Sequence, residues 1–123
     1  MLGTDRRNPS HRTTIQQGRA AEFLALAILR KKGFTVIRSA GPDSLIHLIA
    51  WEEQNRPIFV RVKRARRPVS RAAEVASRWP GDIEQLQKLP LAVGGSVQFW
   101  IYSGQQGWLF YEVLPGGIVE VRE

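Results

Sequence analysis

The order in which helical and strand texture follow one another limits the fold of this chain more than any other feature. One helical stretch comes first, then three strand-like segments, a second helical region, and two or three strands at the end. That order predicts an α/β or α+β sandwich, a mixed central β-sheet flanked by helices. The 123 residues are the size of one domain. A content of 43 % hydrophobic and 24 % charged residues is globular and excludes wholesale disorder.

Thr13-x-x-Gln16 and Thr14-x-x-Gln17 both have the capping-box form and predict a helix over 13–32. Residues 1–12, with Arg6, Arg7, His11 and Arg12 and no apolar periodicity, read as a flexible basic arm, leaving 13–123 as a single domain. Phe23, Ala27 and Arg30 share one helical stripe; Ala20, Leu24, Ala27 and Ile28 share another. Coverage that broad predicts packing on more than one side. Gly33 stands where a left-handed cap is expected after Lys31 and Lys32. Residues 34–38 read as a strand. Residues 45–51 are apolar except for His47, the texture of a strand covered on both faces. Residues 58–63 alternate, with Phe59, Arg61 and Lys63 on one face, and form a hairpin with 45–51. Helical texture over 71–79 stops at Pro80 and resumes over 82–88. Strands follow at 96–102, 108–113 and 118–121.

The chain has no cysteine, which removes disulfides, thiolate zinc sites, iron–sulfur clusters and cysteine nucleophiles. It lacks the apolar run of a membrane span and the pattern of a signal peptide, so the sequence reads as a cytoplasmic protein. Eighteen Lys and Arg against 11 Asp and Glu give a net charge of +7, which points to a polyanionic partner and to nucleic acid first. Six of those cations, Arg61, Lys63, Arg64, Arg66, Arg67 and Arg71, fall within residues 61–71. Six phosphate contacts would give a salt slope of about −5. No phosphate-binding glycine loop is present, and only His11 and His47 could serve a nucleophile relay. Of the four tryptophans, Trp51, Trp100 and Trp108 lie in apolar strand patterns and read as core; Trp79, beside Pro80, reads as the candidate for an interface.

Gly18-Arg19-Ala20-Ala21-Glu22, then Gly33-Phe34-Thr35-Val36-Ile37-Arg38-Ser39, then His47-Leu48-Ile49-Ala50, then Arg61-Val62-Lys63 resemble in order the motif frame of the PD-(D/E)XK nuclease superfamily. Within it the frame is most similar to the archaeal Holliday junction resolvases. The resemblance covers about residues 13–70 and implies a restriction-endonuclease-like fold, DNA as substrate, a homodimer, and a divalent metal at the active site. Glu22, Lys63 and the loop serine Ser39 match the family's positions. His47 stands where the metal-binding Asp belongs, and Arg61 where the Glu or Gln belongs.

Those two departures bear directly on chemistry. Arginine keeps its proton in proteins, so Arg61 puts a fixed cation at the metal position. At 4 Å and an effective dielectric of 20, each unit of like charge costs about 4 kcal/mol, and a divalent ion doubles it. A hard Mg ion also prefers oxygen to an imidazole nitrogen. The expectation is therefore a nucleic-acid-binding protein with a degenerate nuclease site at Glu22, His47, Arg61 and Lys63, no metal and no cleavage. Its partner would be double-stranded or branched DNA, met by Arg38, Ser39, Lys63, Arg64, Arg66, Arg67 and Arg71. Three alternatives stand beside it. Pro42-Asp43 spells the family's "PD", so a rebuilt site of Glu22, Asp43, His47 and Lys63 could use Mg or Mn. Glu22 could pair with Arg61 or Lys63, His47 could be a hydrogen-bonded structural histidine, and Arg61 and Lys63 could be solvated strand charges. The chain could also be a protein-interaction subunit or one half of a dimer.

Overall fold

A computed structural model describes residues 9–41 and 44–122. The elements are α1 (Pro9–Lys31), β1 (Thr35–Arg38), β2 (Leu48–Trp51), β3 (Ile58–Arg64), α2 (Ala72–Arg78), α3 (Pro80–Leu86), α4 (Pro90–Val93), β4 (Ser96–Ser103), β5 (Gly107–Leu114) and β6 (Gly117–Val121). The six strands lie in sequence order in one mixed sheet. Every neighbouring pair is antiparallel except β3–β4, which is parallel over seven positions from Ile58↔Ser96 to Arg64↔Tyr102. The expected α+β architecture is the one observed.

Two cores form, one on each face of the sheet. On the first face Ala21, Ala25 and Leu29 of α1 pack on Val36, Leu48, Ala50, Val60, Val62 and Trp100. On the second, Val75 of α2 with Ile83 and Leu86 of α3 cover Val97, Phe99, Ile101, Tyr111 and Val113. The alternation of β3 feeds both: Val60 and Val62 belong to the first core, and Phe59 packs against the second. Trp100 is buried with its indole N–H donating to Gln98 Oε1 at 2.7 Å, and Gln98 Nε2 donates to Ser96 Oγ at 3.0 Å. A polar chain within the sheet thus satisfies the buried indole.

Several expectations change. The helix starts at Pro9, in a first turn where proline's missing N–H costs nothing, so residues 9–12 are helical rather than part of an arm; Arg6 and Arg7 lie outside the described residues. The buried stripe of α1 is Ala21–Ala25–Leu29, and Phe23 and Leu24 are 55 % and 45 % exposed, so α1 packs on one side. Small side chains at Ala21 and Ala25 let the helix approach the sheet closely. Residues 45–47 leave the sheet and β2 is only four residues long. Its outer side is not covered, since Trp51 is 40 % exposed. Trp79, by contrast, packs edge-on against Phe99 at 5.8 Å and borders the second core. A fourth short helix, α4, occupies the stretch just after Leu89 that carried no helical signal. Among the described residues no helix is long and apolar enough to cross a membrane.

Gly95 sits where β3 and β4 begin their pairing. A Cβ there would fall 2.5 Å from the Pro57 carbonyl oxygen and 2.9 Å from the Phe59 ring, whereas one on Gly18 would meet nothing within 4 Å. Gly95→Ala should lower stability by about 1–3 kcal/mol through overpacking. Gly18→Ala should raise it by about 0.5–1 kcal/mol through helix propensity. Urea unfolding midpoints of the two variants measure the difference, and equal shifts would contradict the packing described.

Candidate functional site

The family positions Glu22, His47, Arg61 and Lys63 come from four places: the middle of α1, the residue before β2, and alternate positions of β3. The fold gathers them around His47, whose imidazole feels the charges of Glu22, Arg61, Lys63 and Arg38. The ion pairs differ from the expected pairing of Glu22 with Arg61 or Lys63. Glu22 Oε1 accepts from Arg38 Nε at 3.2 Å, and the Arg38 guanidinium also lies over the Phe23 ring, 4.8 Å from its centroid. Arg61 and Lys63 face the second core and reach a carboxylate that sequence reasoning missed: Asp82, in the first turn of α3. Arg61 Nη2 is 3.5 Å from Asp82 Oδ1, and Lys63 Nζ is 3.9 Å from Oδ2.

Arg61 is further tied down by its Nη1, which donates to the Ser44 carbonyl at 3.2 Å and the Leu45 carbonyl at 3.0 Å. The guanidinium thus holds the segment that departs from the sheet, in place of a strand ladder. His47 does the complementary work on the same segment. Its backbone N–H donates to the Val60 carbonyl at 2.8 Å, and its Nδ1 accepts the Val62 N–H at 2.8 Å. The imidazole stands in for the backbone carbonyl that β2 no longer supplies. The reading of His47 as a hydrogen-bonded structural histidine is the one this geometry matches.

That bond fixes the tautomer. With Nδ1 accepting, the ring proton sits on Nε2. A metal at Nε2 would need the proton on Nδ1, where it would face the Val62 N–H, donor against donor. Neither nitrogen is a ligand while this bond lasts. Glu22 pairs with Arg38, and Arg61 is a cation where the resemblance implies Glu or Gln. Among the described residues no three His, Cys, Asp or Glu side chains group as a metal site. The described donors therefore do not fit the divalent ion that the resemblance implies. Asp43 lies outside the described residues.

The basic stretch divides between the two faces of the sheet. Arg64 alternates with Arg61 and Lys63 onto the first face, where its guanidinium lies 5.2 Å from the Tyr102 ring centroid. Beyond it the chain leaves the sheet, and buried Val69 anchors the loop. The Val69 N–H donates to Gln106 Oε1 at 3.0 Å, and Gln106 Nε2 donates to the Val69 carbonyl at 2.6 Å. From the other side Arg78 Nη1 donates to the carbonyls of Arg67 at 3.2 Å and Pro68 at 3.1 Å. Glu74 accepts from the Ser70 N–H at 2.9 Å and its hydroxyl at 2.8 Å, closing the turn into α2. Arg66, Arg67 and Arg71 stand exposed on this braced loop. Gln106 and Arg78, like Asp82, gave no sequence signal, because each acts on a residue more than nine positions away. Ser39 contributes its backbone, donating to the His47 carbonyl at 2.9 Å.

Burial is the largest influence on His47 and lowers its pKa from the ordinary 6.5; Glu22 opposes this, and Arg61, Lys63 and Arg38 reinforce it. A folded pKa below the unfolded one means that the unfolded state takes up the proton first. The contribution is therefore fully present above pH 6.5 and is lost as pH falls through the lowered folded value. Urea midpoints should drop between pH 7.5 and pH 5.5 in the parent and drop less in His47→Gln. Nitrogen NMR should show the Nε2–H tautomer at neutral pH; an Nδ1–H signal would contradict the bond to Val62.

No protein-family model matches the chain, and no curated protein matches it. Among solved structures, it is similar to the Hjc Holliday junction resolvase of Archaeoglobus fulgidus, an archaeal hyperthermophile, with a TM-score of 0.58 and 21 % identity, over 87 % of this chain and 84 % of that one. The mixed sheet, with α1 on one face and α2 and α3 on the other, and this likeness lead to one conclusion: the chain has the restriction-endonuclease-like fold of that resolvase.

Proposed function

We propose that the protein binds nucleic acid, double-stranded or branched DNA, and does not cut it. The observation that carries this reading is the braced loop at the end of β3, which presents Arg66, Arg67 and Arg71 beside Lys63. A loop of like charges repels itself, and fastening it at Val69 from two sides offsets that repulsion. Such an arrangement suits a polyanionic partner. The solved neighbour named a Holliday junction resolvase adds weight to DNA as that partner.

The absence of cutting rests on three residues. Arg61 brings a positive charge to a position where the resemblance implies Glu or Gln, Glu22 pairs with Arg38, and His47 accepts from the Val62 N–H. Asp82 supplies the counter-charge to Arg61 and Lys63 that a phosphate group would otherwise supply. The side chains of Arg61, Lys63 and Asp82 are 19 %, 36 % and 26 % exposed, so these are partly screened pairs that a polyanion can displace.

Four cations, Lys63, Arg66, Arg67 and Arg71, are taken as the phosphate contacts, because Arg64 is on the opposite face and Arg61 is engaged with backbone. The expected salt slope is therefore about −4, and Lys63→Ala should reduce it by about one. Fluorescence anisotropy between 50 and 200 mM salt measures both; affinity indifferent to salt would overturn the reading. Asp82→Asn should tighten duplex binding several-fold, since it removes the competing carboxylate. Plasmid and four-way-junction DNA should survive incubation with Mg, Mn or Zn. Cleavage that disappears in Lys63→Ala would establish instead an active nuclease with a rebuilt site, Asp43 included.

A further inference from the structure

On the first face of the sheet α1 packs across β1, β2 and β3. Beyond it, at the end of the β4–β5 hairpin, three aromatic side chains are only half-buried: Tyr102, Trp108 and Phe110. Cross-strand pairing sets Tyr102 opposite Trp108 and buried Trp100 opposite Phe110. Trp108 and Phe110 lie with their rings 10° from parallel and 6.0 Å apart, Tyr102 is 5.0 Å from Trp108, and Trp100 props the group edge-on from beneath. Arg64 leans over Tyr102, and its Nε is buried without a hydrogen-bond partner.

We propose that this platform is a second nucleic-acid site, one that takes the unpaired bases of a single strand. The inference rests on the nucleic-acid reading above and specifies a further substrate class for it. Half-exposed aromatic rings on an antiparallel strand pair offer stacking surface to unstacked bases, and an arginine among them offers charge to the backbone. A duplex keeps its bases stacked inside and cannot use such rings. Charge selects this occupant over a second copy of the chain: each copy carries +7, so pairing copies here sets like charges together, whereas a polyanion neutralises them. The platform and the braced loop meet at one corner. Gln106, in the turn between β4 and β5, holds Val69, so the loop and the platform adjoin at one end of the sheet.

The test titrates the full chain with a labelled 12-mer of deoxythymidine and with a labelled 12-base-pair duplex. Trp108→Leu and Tyr102→Leu are compared with the parent, and circular dichroism checks their folding. Each variant should weaken single-strand binding about tenfold or more and leave duplex affinity within about twofold. Indole fluorescence of the parent should be quenched by the single strand and not by the duplex. If either variant is unfolded, the other decides by the same criterion, and the parent's quenching decides if both are. Duplex binding without single-strand binding in the parent would overturn the platform alone; failure of both would overturn the nucleic-acid reading with it. Equal losses on both ligands, or none on either, would also overturn the platform. So would a dimer in sedimentation that Trp108→Leu dissolves, because a second copy would then cover the face.

Discussion

The parallel pairing of β3 with β4 is the constraint from which the rest of the molecule follows. Antiparallel neighbours can be joined by a tight turn, but parallel ones need a long crossover that returns the chain to the same end of the sheet. Here that crossover is the whole segment between Arg64 and Ser96, and it must cover one face on the way. It does so with Val69, Val75, Ile83 and Leu86, which become the second core. The same passage brings Asp82 over β3 and Arg78 back to the loop that follows it. Gly95 closes the circuit, since only a residue without Cβ lets the returning chain come so near Pro57 and Phe59.

Within that frame the electrostatics are resolved locally. A cation at Arg61 beside Lys63 would be costly if both were left against a covered face. Asp82 answers both charges, and two carbonyls of the departing segment accept from Arg61 Nη1, while Arg61 Nε is buried without a hydrogen-bond partner. The Arg38–Glu22 pair is separate, on α1 and the end of β1. Between the two pairs His47 stays neutral and acts as part of the backbone network. The described side chains of this region thus pair mostly with one another.

What the sequence disclosed depended on the range over which each residue acts. The strand character of β3 and the shared face of Arg61 and Lys63 were legible because alternation is a property of adjacent residues. The buried stripe of α1 was not, because residues 20–29 are apolar nearly all round and periodicity alone does not select one side. Side-chain size selected it, with two alanines meeting the sheet. The end of β2 was misplaced because Leu45 and Ile46 have strand texture; an imidazole accepting a backbone N–H fifteen positions away ends the ladder before them. Asp82 lies on a seven-residue helix whose position is set by the crossover, so its encounter with Arg61 is a tertiary fact without a local sign.

The two hydrogen bonds between Gln106 and Val69 have a consequence for the speed of recognition. A flexible basic segment would have to lose its conformational freedom each time it met a ligand, which lowers affinity and delays the final docking step. Here a single carboxamide uses its acceptor and its donor on one residue, as a neighbouring strand would. The backbone of the loop is thereby ordered during folding, so in the proposed role a ligand would meet a segment already arranged. Association can then be governed by long-range attraction and diffusion, with discrimination between ligands left to the rate at which they depart.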